Sequence, residues 1–91
     1  MGAVVRMRLE FTTEPFDLAE PPAHALTARE VLRDAESGGA LAAVEVGPFG
    51  NTAEGERDAV VAAVGELLRR TTEAGATRIS LQVSVVDGAE R

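Results

Sequence analysis

The segment Ala40–Glu56, "ALAAVEVGPFGNTAEGE", decides how this chain folds. Its first seven residues read as an apolar strand, and "GNTAEG" (Gly50–Gly55) reads as a second, shorter strand beyond a Gly47-Pro48 corner. Two strands in succession, lying between two helical segments, set the order of everything else. The corner is richer than a turn requires: Gly47–Glu56 carries three glycines, a proline, Asn51, Thr52 and two glutamates. Two such residues would suffice to reverse the chain.

Upstream, "VVRMRLEFTT" (Val4–Thr13) alternates cleanly. Val5, Met7, Leu9 and Phe11 fall on one face, and Arg6, Arg8, Glu10 and Thr12 on the other, the period of a half-buried strand. "EPFDLAEPPAHA" holds three of the four prolines and reads as a loop. A first helix is expected from a capping box at Thr27 and Glu30, with Leu26 and Val31 as its staple. Val31, Leu32 and Ala35 form its buried stripe, and Gly38-Gly39 end it.

Downstream, a second helix is expected over about Glu56–Ala74. Val60, Val61, Val64, Leu67, Leu68 and Thr71 recur at helical spacing, with Gly75 as the stop. "TRISLQVSVV" is the last strand, with Ile79, Leu81, Val83 and Val85 on one side and Ser80, Gln82 and Ser84 on the other.

The order is β-α-β-β-α-β, the ferredoxin-like α+β arrangement: a four-stranded antiparallel sheet with two helices on one face. The third strand pairs with the first at the centre. The other face, bearing Arg6, Arg8, Glu10, Ser80, Gln82 and Ser84, is open. Ninety-one residues make one such domain, and the expected unit is 1–91. A chain this short buries only about 60 to 65% of its unfolded surface, so burying the open face against another copy is expected.

Composition excludes several classes of function. There is no cysteine, which removes disulfides, thiolate metal sites and cysteine nucleophiles. The net charge is −6 with no lysine, and there is no Tyr or Trp, so nucleic acid is not an expected partner. No apolar run approaches the roughly 20 residues of a membrane span, and Arg6 and Arg8 interrupt the only candidate signal core. A cytoplasmic location is the expectation. No Ser-His-acid set, metal-ligand cluster or phosphate loop is present, and His24 stands alone in a loop, read as surface.

Two stretches carry a resemblance. "VEVGPFGNTAEGE", then an amphipathic helix, then "AGATRISLQVSVVD" resembles the small thiamine-binding domain family (YkoF-like). Members of that family carry Gly-Pro-Met-Gly-Thr-x-x-Glu-Gly before the second helix and Ala-Gly-Ala-x-Arg before the last strand. Here Gly47, Pro48, Gly50, Glu54 and Gly55 match the first, and Ala74, Gly75, Ala76 and Arg78 the second. Phe49 stands in place of the methionine, Asn51 in place of the threonine, and Thr52-Ala53 in place of two β-branched apolar residues.

The resemblance implies a non-enzymatic binder of thiamine or its hydroxymethyl-pyrimidine precursor, assembled as a dimer or tetramer, with no cofactor and no metal. Glu54 is the expected carboxylate for the ligand's amino group and cation. Asn51 can donate and accept at once, which suits a ring nitrogen beside an amino group. Thr52 and Phe49 complete the expected contacts, Phe49 by stacking, while Gly47, Pro48 and Gly50 shape the site.

Each residue also has a plainer reading. The glycines and Pro48 make a bulge or corner, Phe49 packs, Asn51 turns the chain, and Glu54 compensates the charge of a helix start. Two other functions stay open: an oligomerisation module without a ligand, and a small enzyme built on Glu54 with Glu56 or His24. Which of Asn51, Thr52 and Glu54 share a sheet face depends on strand register.

Overall fold

The alternating first segment becomes β1 (Arg6–Glu14) in a computed structural model, which describes residues 4–17, 19–47 and 50–86. After it come α1 (Ala23–Ser37), β2 (Leu41–Val46), β3 (Asn51–Glu56), α2 (Arg57–Glu73) and β4 (Arg78–Val85). The sheet order is β2-β3-β1-β4 with every pair antiparallel, so the ferredoxin-like α+β architecture holds, with β1 and β3 at the centre.

The core lies between the sheet and the helices. Leu9, Phe11, Leu41 and Ala53 from the strands meet Ala28, Val31, Leu32, Val60, Ala63 and Leu67 from the helices. Helix α1 packs on α2 and β2, and α2 on β1 and β3. Gly55 makes the approach of β2 possible: a Cβ there would lie 2.8 Å from Leu41 Cδ2 and 2.9 Å from the Ala40 carbonyl oxygen.

Helix α1 begins a turn earlier than the capping box suggested. Pro22 is the N-cap, extended at φ −70° and ψ 164°, and no side chain caps the helix. Thr27 lies inside the helix, and Leu26 is exposed, so the staple does not form. The earlier start has a packing reason. His24 and Ala28 are buried and extend the stripe of Val31, Leu32 and Ala35 by one turn, at the same helical spacing.

The glycine-rich segment does not bend the central strand. β3 keeps unbroken register with β1 from Asn51 opposite Phe11 to Glu56 opposite Arg6. The bulge lies in edge strand β2, between Ala42 and Glu45, where Ala43 takes the left-handed region at φ 51°. The corner itself is tight, with the Gly47 N–H donating to the Gly50 carbonyl at 3.0 Å.

Strand β4 and part of α2 lie outside the core. Leu81, Val83 and Val85 face the helix side opposite Phe11, Leu9 and Met7, yet they are 37%, 40% and 63% exposed. Val61 and Leu68 of α2, expected in the buried stripe, are exposed as well, and Ala63 is buried in their stead. The helix is turned so that Val60, Ala63, Leu67 and Thr71 face the sheet.

Candidate functional site

Unbroken register along β3 settles which face each expected site residue occupies. Asn51 and Ala53 share the helix face with Phe11 and Leu9, whereas Thr52 and Glu54 stand on the open face opposite Glu10 and Arg8. The residues named from the sequence therefore fall into two places. Phe49 and Pro48 lie outside the described residues.

On the open face, Glu54 is held by two arginines. Arg8 donates to Glu54 Oε2 from Nη2 at 3.0 Å and from Nε at 3.2 Å, and Arg6 Nε lies 3.5 Å from Oε1. The hydrogen bond from Arg8 lowers the Glu54 pKa most; burial opposes it, and the charges of Arg8 and Arg6 reinforce it. Glu54 is a partnered carboxylate within β3, separated from the start of α2 by Gly55 and Glu56.

On the helix face, at the end of the sheet where β1 stops, there is a cavity of about 110 Å³. Thr13 of β1, Pro15 and Phe16 of the following loop, His24 and Arg29 of α1, Gly47 and Gly50 of the β2–β3 connection, and Asn51 of β3 line it. Topology explains the gathering. Thr13 continues the inward row of Leu9 and Phe11 past the last core residue, and Asn51 opens β3 beside it. The proline-rich loop then brings the first turn of α1 back over that end.

Histidine 24 is not a surface residue. It is 3% exposed, and both ring nitrogens have partners: Nδ1 lies 2.8 Å from Thr13 Oγ1, and Nε2 lies 3.0 Å from the Pro15 carbonyl oxygen. A carbonyl can only accept, so Nε2 carries the hydrogen, and in the neutral imidazole the Thr13 hydroxyl then donates to Nδ1. This pair fixes the back wall of the cavity. Nothing in the sequence marks it except the inward parity of Thr13, because the two residues are brought together by the loop.

Asn51 is the opposite case. Its Oδ1 is buried and has no hydrogen-bond partner among the described residues. An orphaned buried acceptor costs about 1 to 3 kcal/mol, and native structures keep few of them. Asp17, also at the cavity, has its Oδ1 occupied by the N–H groups of Ala19 and Glu20 at 2.9 and 3.2 Å. Among the described residues no group of three or more His, Asp or Glu is placed to hold a metal.

No protein-family model matches the chain, and no curated protein does. Among solved structures, a domain of unknown function, DUF77, from Bacillus cereus is similar with a TM-score of 0.64. The identity is 20%, over 93% of this chain and 78% of that one. At that identity the likeness establishes the fold. No helix among the described residues is long and apolar enough to cross a membrane.

Proposed function

We propose that this chain is a non-enzymatic, cytoplasmic binder of thiamine or its hydroxymethyl-pyrimidine precursor, and that the pyrimidine ring enters the cavity between β1, α1 and the β2–β3 corner. The orphaned Asn51 amide oxygen carries the reading. An aminopyrimidine offers an N–H beside a ring nitrogen, and a carboxamide answers both with one acceptor and one donor. The terminal torsion of asparagine is soft, so the amide turns toward a ligand at little cost.

Size supports a single ring. A cavity of about 150 Å³ holds benzene in a well-studied protein interior, and this one measures about 110 Å³. The thiazolium of the vitamin would stay at the mouth, where Asp17 supplies a carboxylate. Self-association belongs to the reading as the resemblance implies it. The open face is charged and already ion-paired, so the exposed apolar residues of α2 and β4 are the better surface for it.

Those same apolar residues favour the second reading, an oligomerisation module without a ligand. One experiment separates the two and also separates the two faces. The chain has a single asparagine and a single glutamine, so its side-chain NH2 signals in a nitrogen-correlated NMR spectrum are assignable by inspection. Asn51 reports the cavity and Gln82, opposite Glu10, the open face. Adding hydroxymethyl-pyrimidine should move the Asn51 pair and leave the Gln82 pair. Movement of Gln82 alone would place the ligand with Glu54, and no movement of either would favour the module.

A further inference from the structure

We propose that this cavity takes the pyrimidine precursor most tightly in a form that carries an oxyanion, a phosphate monoester or a carboxylate, and that Arg29 receives it. The inference rests on the cavity reading above and names the chemical class of its ligand. Among the described residues six arginines form ion pairs, Arg6 and Arg8 with Glu54, Arg33 with Glu36, Arg57 with Asp58, Arg69 with Glu66, and Arg70 with Glu30, while Arg29 and the exposed Arg78 form none. Arg29 has no ion pair or side-chain hydrogen bond among the described residues, although the chain holds 15 acidic residues against 9 basic ones. Carboxylates are not scarce here. Asp17 lines the same cavity but turns an oxygen to the backbone N–H groups of Ala19 and Glu20, and it forms no ion pair with Arg29.

Position gives that guanidinium a use. Arg29 is partly buried and sits one turn beyond Ala25, which also lines the cavity. Long helical side chains run back toward the N-terminus, so Arg29 lies over the first turn of its own helix. That turn holds no acidic residue and no side-chain cap, which leaves its positive end uncompensated on the same side. The guanidinium fork matches a carboxylate or phosphate with two parallel hydrogen bonds. The chain as a whole, at −6, repels anions, so a local cation is what an anionic ligand would need. Asn51 adds the other requirement, an N–H or O–H donor on the ring.

The test measures affinities by calorimetry for four probes: hydroxymethyl-pyrimidine, its phosphate monoester, the corresponding pyrimidine carboxylate, and inorganic phosphate alone. The native chain is compared with Arg29→Gln and Arg29→Lys, each checked for native circular dichroism. One or both anionic pyrimidines should bind at least about tenfold more tightly than the alcohol. Arg29→Gln should erase that preference, bringing the anions down to the affinity the same variant shows for the alcohol, and Arg29→Lys should keep part of it. Whichever anion gains identifies the class. An alcohol that binds while neither anion gains, or a preference that survives Arg29→Gln, would overturn the inference and leave the cavity reading standing. Inorganic phosphate binding as tightly as the ester would overturn the ring's share in it. Failure of every pyrimidine to bind would overturn both.

Discussion

Asn51 and Glu54 belong to one strand and face opposite sides of the sheet, Asn51 opposite Phe11 on the core side and Glu54 opposite Arg8 on the open side. No single ligand the size of a vitamin contacts both side chains within one chain. The glycine-rich segment thus serves two surfaces, a cavity end and an ion-paired sheet face.

The buried Thr13–His24 pair should be measurable as stability. Thr13→Val keeps the volume but leaves His24 Nδ1 buried without a donor, because Nε2 is committed to the Pro15 carbonyl. The expected loss is about 1 to 3 kcal/mol in urea unfolding followed by circular dichroism. A loss too small to measure would mean that the pair does not hold the cavity wall.

Gly55→Ala should destabilise through overpacking. The added methyl would meet the Ala40 carbonyl oxygen at 2.9 Å, and a backbone atom at the entrance to β2 cannot swing aside as a side chain can. About 1 to 3 kcal/mol is expected from the same unfolding experiment, with β2 the strand that loses amide protection.

The Glu54 cluster sets an acid-side pH dependence. The Arg8 hydrogen bond lowers the folded-state pKa of Glu54 below its unfolded value, so the cluster stabilises fully above the unfolded value. That stabilisation disappears as pH falls through the lowered, folded one. Arg8→Ala should raise the Glu54 carboxyl titration followed by carbon NMR and reduce neutral-pH stability by about 1 kcal/mol or less. The difference between variant and native protein should vanish in acid. A Glu54 titration unmoved by the substitution would contradict the arrangement.

Self-association should depend on α2 and β4. Val83→Glu places a charge on the exposed apolar row of β4, between Leu81 and Val85, and it should shift the mass seen by light scattering toward the monomer. Thr52→Glu on the open face should leave the mass unchanged. The reverse pattern would return the interface to the open face.

Much of the architecture was legible because strand parity is local. Alternation in Val4–Thr13 placed Leu9 and Phe11 in the core and Arg6 and Arg8 outside, and the structure keeps both. What parity could not carry was the reach of the helices. Leu81 and Val83 have the right period for burial, but the helices pack chiefly on β1, β2 and β3, so they remain exposed. The cavity was half legible. Gly47, Gly50 and Asn51 were marked by their composition, whereas Thr13, His24 and Arg29 look ordinary until the proline loop folds α1 over the sheet end. A histidine in a buried helical stripe reads as a break in the pattern, and only its two remote partners explain it.

The most direct test of the central claim is thermal unfolding of the native chain and Asn51→Ala, followed by circular dichroism because there is no Trp or Tyr. Each is measured with and without hydroxymethyl-pyrimidine and thiamine. Since the Asn51 oxygen has no partner among the described residues, Asn51→Ala should unfold no earlier than native when unliganded. Ligand at 100 times its dissociation constant adds about 2.7 kcal/mol, several degrees in a domain of this size. The native protein should show that shift and Asn51→Ala should lose it. An equal shift in both proteins, or none in the native protein at millimolar ligand, would contradict the account.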